Sequence, residues 1–265
     1  MIPPDVVENM KGIKHKIVVL SGKGGVGKTT VATNLAVSFA ERGKKSGILD
    51  VDIYGPNVPK LLGLEGQHPN AEGEFINPII GPLDVKVMSM AFLLRKEDDA
   101  VAWRGPLVAK AISQFLSNVK WGYLDILIVD LPPGTGDEIL SILQTIPDLD
   151  GVVIVSTPQE VAVLDARRAI QLVEKMGVPI LGIVENMAEF ICPKCGESYK
   201  IFGEGAARSA ADEYGVEHLG TLPLDPRVIV LSDKGTPFVI EDPDSKAAKS
   251  FKMLVDRLAQ KVQLN

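Results

Sequence analysis

Residues 22–29 read Gly-Lys-Gly-Gly-Val-Gly-Lys-Thr, directly after the β-branched run IVVLS (17–21) and directly before KTTVATNLAVSFAERG, whose apolar residues recur at helical spacing. Few short segments restrict a fold so tightly. The pattern G-x-x-x-x-G-K-[ST] between a strand and a helix is a phosphate-binding loop: its glycines let the backbone curl until successive N–H groups face one anion. The helix start adds partial positive charge, Lys28 can reach the outer phosphates, and the Thr29 hydroxyl can hold Mg²⁺. ATP with Mg²⁺ is therefore expected at Gly22, Lys23, Gly24, Gly25, Val26, Gly27, Lys28, Thr29 and Thr30.

The rest of the chain agrees with a strand–loop–helix opening. Short apolar runs at 46–51, 84–89, 125–130, 151–156 and 179–185 alternate with helical patterns at 106–119, 138–146 and 160–177, and 245–263 reads as a terminal helix. Such alternation predicts an α/β fold, a doubly wound and mostly parallel sheet with helices on both faces and ligands at the carboxyl ends of the strands. No Pro/Gly/Ser-rich linker divides the 265 residues, so one domain over 1–265 is expected. Segments 64–83 and 186–202 interrupt the alternation as long loops, and loops of that length tend to carry function.

Carboxylates gather where that topology puts a site. Asp50 and Asp52 close the second strand in DVDIYGPN, and Asp130 ends the run ILIVD and opens DLPPGTGD. Acidic groups at strand ends beside a phosphate loop can hold Mg²⁺ and orient an attacking water. Gly134 can bring the following backbone toward the outermost phosphate. Asp137 reads equally as a helix cap or as a catalytic acid.

Composition sorts the partners. A formal net charge of -6 argues against a chain whose main task is coating nucleic acid or an anionic membrane, and the basic clusters KGIKHK and RGKK read as solvated loops. No apolar run approaches the ~20 residues of a membrane span. The N-terminus lacks the apolar stretch of a signal peptide, so a cytoplasmic protein is expected. The two cysteines, Cys192 and Cys195, share one segment.

Taken together, GKGGVGKT with lysine at its second position, DVDIYGPN, WRGP (103–106), DLPPGTGD and ENM followed by CPKC resemble the Mrp/ApbC branch of the MinD/ParA-like P-loop ATPases, which act as scaffolds or carriers for iron–sulfur clusters. The motifs cover about residues 15–235. The resemblance implies a MinD-like fold and a sandwich homodimer in which Lys23 reaches the nucleotide of the facing subunit; a surface lysine is the other reading. It implies catalytic roles for Lys23, Lys28 and Asp52, a magnesium and switch role for Asp130, and adenine contact by Asn186 and by Pro223 in LPLDP (222–226). Asn186 could equally be a helix cap.

The pair Cys192 and Cys195, with Pro193 between and Gly196 after, forms a knuckle that aims two thiolates one way. An iron–sulfur cubane or a tetrahedral zinc takes four ligands, so one chain supplies half a site and a symmetric dimer the whole. A bridging [4Fe–4S] cluster passed to apo iron–sulfur proteins is the expectation. Structural zinc and a thioredoxin-like redox pair are the rivals. A positioning ATPase acting on membrane or DNA through an amphipathic C-terminal helix (Phe251, Leu254, Val255, Leu258, Val262) is the alternative function, and a nitrogenase-iron-protein-like reductase a third. Core packing of that helix face, without membrane or nucleic acid as partner, is preferred.

Overall fold

The computed structural model describes residues 2–93 and 105–264. Trp103 and Arg104 of the WRGP motif lie outside the described residues. Among these residues the strands are β1 (Ile13–Leu20), β2 (Ser46–Asp50), β3 (Ala71–Glu72), β4 (Phe75–Ile76), β5 (Ile79–Ile80), β6 (Lys86–Ser89), β7 (Leu124–Asp130), β8 (Gly151–Ser156), β9 (Ile180–Glu185), β10 (Phe190–Ile191), β11 (Ser198–Tyr199) and β12 (His218–Thr221). The helices are α1 (Pro4–Met10), α2 (Lys28–Glu41), α3 (Val58–Leu61), α4 (Gly105–Asn118), α5 (Asp137–Thr145), α6 (Glu160–Lys175), α7 (Ala206–Tyr214), α8 (Pro226–Asp233), α9 (Phe238–Glu241) and α10 (Lys246–Lys261).

Eight strands form one sheet in the order β12-β9-β8-β1-β7-β2-β6-β5, parallel except for the edge strand β5, which runs against β6. Helices α2, α9 and α10 pack together, and α6 and α7 pack together over β8 and β9, so both faces of the sheet are covered. A parallel sheet covered on both faces needs strands that are apolar throughout, and Ile17–Leu20, Ile126–Val129 and Val152–Val155 are all buried. Each such side chain removed from water is worth about 1.5–3 kcal/mol, which makes the central strands a rigid mount for the loops at their ends. The chain order reverses around β1, between β8 and β7, so the crevice lies at the carboxyl end of β1.

Several elements differ from the sequence expectation. The first strand begins at Ile13, not at residue 17, so most of the basic cluster KGIKHK is strand rather than solvated loop. Lys16 is buried there with its ammonium donating to the Ile13 carbonyl at 3.0 Å, and His15 pairs with Asp150 at 2.9 Å. Long side chains can hide their stems and satisfy their tips, which disguises a buried strand as a polar one. The 64–83 loop contains the β3–β4 hairpin and β5, and the 186–202 loop contains the β10–β11 hairpin. Asp137 opens α5 as its first residue, with Gly136 at the cap position, so it is not the cap that the sequence allowed. The apolar face of α10 is core: Phe251, Leu254, Val255 and Leu258 are all at most 1% exposed. None of the described helices is long and apolar enough to cross a membrane.

Candidate functional site

The glycine-rich loop leaves β1 at Ser21, and α2 starts at Lys28 with Gly27 as its cap at φ +83°. An L-residue avoids that backbone region, and a Cβ at Gly27 would also lie 2.2 Å from Nδ2 of Asn186. A Cβ at Gly22 would fall 2.2 Å from the Asp165 carbonyl, so the loop is seated against α6 with no room to spare. The DLPPGTGD loop is tied to the same point, because the Gly134 N–H donates to the Ser21 carbonyl at 2.8 Å. Lys23, half-buried, sits at the start of the loop, and its own carbonyl accepts from the Ser21 hydroxyl at 2.9 Å.

Register brings the carboxylates together. Asp50 and Asp130 are paired residues at the carboxyl ends of β2 and β7. Lys28 reaches across with its ammonium 2.7 Å from Asp130 Oδ1, 3.5 Å from Asp52 Oδ2 and 3.2 Å from the Thr29 hydroxyl. Asp52 Oδ1 accepts from the N–H groups of Tyr54 and Gly55, an arrangement that turns the chain out of β2 and aims the other oxygen at Lys28. Asp50 accepts from the Ser89 hydroxyl at 2.8 Å and the Asp52 N–H at 3.0 Å.

Three buried carboxylates thus face one lysine, and the balance shows in the titration of Asp50 and Asp130. Burial, with the neighbouring Asp130 charge, pushes Asp50 up to about 8. Burial also raises Asp130, against the opposing pull of Lys28. Asp130 Oδ2 is buried without a hydrogen-bond partner among the described residues. A cluster this rich in acceptor oxygens and short of positive charge suits a hard divalent cation, with the Thr29 hydroxyl beside it. Mg²⁺ fits this donor set, and Thr29, Asp52 and Asp130 are the residues that would hold it.

A cavity of about 230 Å³ opens beside the loop, walled by Gly27, Thr30, Asn186, Pro223, Phe238 and Phe251 among others. Asn186 follows β9; its N–H donates to the Ser156 carbonyl and its side-chain Nδ2 donates to the Val26 carbonyl at 2.9 Å. That bond uses one amide hydrogen and leaves the side-chain oxygen as an acceptor for a ligand edge. The largely apolar walls and the few polar groups suit a flat heterocycle next to a phosphate loop. Sequence reasoning marked Asn186 and Pro223 but missed the contributions of α8, α9 and α10. One signal was present: Asp225–Pro226 is a cap followed by proline at the first helical position, and Asp225 does accept from the Arg227 N–H at 2.9 Å.

The cysteines lie on the β10–β11 hairpin at the same end of the sheet as the glycine loop, because both follow carboxyl ends of parallel strands. Cys192 donates its N–H to the Glu197 carbonyl and accepts the Gly196 N–H at its own carbonyl, 2.9 and 2.8 Å, which closes a tight turn. Within it, the N–H groups of Cys195 and Lys194 favour the Cys192 thiolate and hold its pKa below the ordinary thiol value. Cys192 is partly exposed and Cys195 exposed. Among the described residues no group of three or more His, Cys, Asp or Glu is placed to hold a metal ion: the two thiols stand as a pair, and the magnesium ligands are two carboxylates, Asp52 and Asp130, with the Thr29 hydroxyl.

Comparison with known proteins agrees with this geometry. Residues 12–259 match the family model described as NUBPL iron-transfer P-loop NTPase. An iron–sulfur cluster carrier protein of Methanocaldococcus jannaschii is 52% identical over 97% of this chain and 88% of its own length, and one of Aquifex aeolicus is 46% identical over 97% and 70%. A nucleotide-binding protein of Archaeoglobus fulgidus, solved with ADP and cobalt, superposes with a TM-score of 0.80 at 43% identity, covering 93% of this chain and 96% of that one. The cell-division ATPase MinD of Pyrococcus furiosus shares the fold at a TM-score of 0.66 and 24% identity, covering 93% and 98%. With a strand–glycine loop–helix site, a cysteine hairpin at the same sheet end and relatives of this closeness, the chain belongs to the iron-transfer P-loop NTPase family of iron–sulfur cluster carriers.

Proposed function

We propose that this chain, a single P-loop ATPase domain over 1–265, binds ATP with Mg²⁺, hydrolyses it slowly, and carries a [4Fe–4S] cluster between two subunits for delivery to apo iron–sulfur proteins. The observation that carries the reading is the pair of accessible thiols, Cys192 and Cys195, on a hairpin at the nucleotide end of the sheet. Gly22, Lys23, Gly24, Gly25, Val26, Gly27, Lys28, Thr29 and Thr30 hold the phosphates, and Asn186 and Pro223 hold the adenine. Thr29, Asp52 and Asp130 would hold magnesium, which would supply charge neutralisation at the phosphates, and Asp52 orients the attacking water. Lys28 then exchanges part of its contact with Asp130 and Asp52 for phosphate oxygens. In a homodimer Lys23 reaches the nucleotide of the facing subunit, and two thiolates from each chain make the four that a cubane needs. Its relatives are named cluster carriers, and the A. fulgidus protein was solved with a nucleotide.

The test is anaerobic reconstitution with iron and sulfide, followed by iron and sulfide counting, visible absorption and sizing, on wild type and Cys192→Ala. Four irons per dimer in the wild type, lost in the variant, with transfer to an apo acceptor, is the expected result. A colourless monomer that activates no acceptor would sink the reading. One zinc per dimer without visible absorption would favour a structural metal. The membrane-positioning alternative has lost its helix face, since α10 packs that face into the core.

A further inference from the structure

The nucleotide cavity and the thiol hairpin share two walls. On one side Asn186 and Met187 line the cavity, and the chain enters β10 three residues later. Met187 holds a left-handed backbone at φ +57°, unusual for a residue with a side chain, so this short link is constrained rather than slack. Its course is also pinned to the segment that follows β12: Ala188 N–H donates to the Leu222 carbonyl and Leu224 N–H to the Glu189 carbonyl. On the other side Ala247 and Phe251 of α10 line the same cavity. Lys246, the first residue of α10, places its ammonium 2.5 Å from Glu189 Oε1, just ahead of β10. Glu189 Oε2 accepts from the Ser198 hydroxyl on β11 at 2.7 Å, and Lys246 lies 3.5 Å from that same hydroxyl. Both strands of the hairpin are therefore moored to the start of α10 through one lysine. The start of α10 is itself fixed, by Ser245 accepting from the Ala248 N–H at 3.1 Å and by the edge-on packing of Phe251 against Phe238.

We propose that Lys246 is a positioning residue that fastens the thiol hairpin, through Glu189, to the α10 wall of the nucleotide cavity, so that a nucleotide in the cavity restrains Cys192 and Cys195. The inference rests on the cavity being the base site of the proposed function. A base wedged between Met187 and Ala247 holds both roots of the hairpin at once, and local excursions that expose a thiol become rarer. The strut is half in water: Lys246 is 53% exposed and Glu189 26%. Pairs of this kind are modest, so the nucleotide effect it transmits is expected to be between about twofold and fivefold.

The experiment is the alkylation rate of Cys192 and Cys195 by a maleimide in protein free of cluster and zinc, with and without saturating Mg²⁺–ADP. The expected result is a rate slowed about two- to fivefold by ADP in the wild type, with the ratio falling to about one in Lys246→Met and Lys246→Glu. Lys246→Arg and the charge swap Glu189→Lys/Lys246→Glu should restore it, which a lysine that only stabilises the fold would not predict. A wild-type ratio of one, or a wild-type ratio retained in Lys246→Met, overturns the proposal. The readout needs no cluster, so a protein that fails iron reconstitution but keeps the ADP-dependent ratio refutes the carrier reading alone.

Discussion

Replacing Asp50 with asparagine should flatten the pH dependence of stability. Asp50 is fully buried, and burial together with the Asp130 charge raises its pKa from 3.8 to about 8. Between those values the folded protein keeps a proton that the unfolded chain has released. Stability therefore falls as pH rises through the window and levels off above about pH 8. Each pH unit in the window is worth about 1.4 kcal/mol, so the loss between pH 5 and pH 8 is at most about 4 kcal/mol, shared with Asp130 because the two titrate as a pair. Asparagine mimics the protonated acid: its oxygen can accept the Asp52 N–H and its amide can donate to the Ser89 hydroxyl, while the long 3.4 Å bond from the Val58 N–H to Oδ2 is lost, a cost that does not change with pH. The stability of Asp50→Asn relative to the wild type should rise progressively from pH 5 to about pH 8 and then level off. The assay is urea unfolding in chelator, without nucleotide, at unit steps from pH 5 to pH 9. His218 works in the opposite direction, since burial lowers its pKa and its share of stability is gained as pH rises, but it is common to both proteins and cancels in the difference. Parallel curves for the two proteins across the range would refute the charge-deficit account of the site.

Lys28→Ala should abolish tight ATP binding, because phosphate loses its nearest cation; unchanged affinity in equilibrium titration would remove the site assignment. Asp52→Ala should keep ATP and lose most hydrolysis, and Lys23→Ala should do the same if it acts across a dimer; wild-type turnover in both would discard that mechanism. Gly27→Ala should destabilise the protein by about 2–3 kcal/mol, from about 1–2 for a left-handed alanine and about 1 for the displaced Asn186–Val26 hydrogen bond. In an Asn186→Ala background the cost should drop to the backbone share, and equal costs in both backgrounds, measured by urea unfolding, would contradict the clash.

What could be read before folding was whatever depends on local chemistry. The glycine loop was legible because its spacing encodes a backbone shape, and the parallel strands because runs such as ILIVD must be apolar on both faces. The first half of β1 was not, since the buried Lys16 satisfies its charge on a backbone carbonyl three residues away. The strand β12 was missed because HLGT is short and carries a glycine and a histidine at the sheet edge. The α8–α10 wall of the cavity was illegible for a different reason. Phe251 reads as one position on an apolar helix stripe, and it is core, but only tertiary packing decides that the same ring also closes the cavity beside Gly27. The Lys246–Glu189 pair spans 57 residues and has no signature in either segment.

The division of the proposed cargo site between two chains has a consequence for how nucleotide could govern it. A site that owns all four ligands releases a cluster only by breaking bonds one at a time, each replaced quickly by the neighbouring thiolates. A site that owns two per chain is complete only while two copies face each other, so separation of the copies removes half the ligands together. Nucleotide then needs no reach to the metal itself. It needs only to favour the closed pair, through groups such as Lys23 at the loop, and to steady the hairpin that presents Cys192 and Cys195. The buried carboxylates fit that division of labour. Asp50, Asp52 and Asp130 crowd one lysine in a cluster short of positive charge. Magnesium arriving with the nucleotide would bring two positive charges to these carboxylates as Lys28 turns to the phosphates, so the carboxylates contribute to a binding energy that can favour the closed pair. If so, the ATP dependence of dimer formation should be steeper in wild type than in Asp130→Asn, where that contribution is smaller. Sedimentation at graded ATP, with Mg²⁺ held constant, would show identical curves for the two proteins if the carboxylate cluster plays no part.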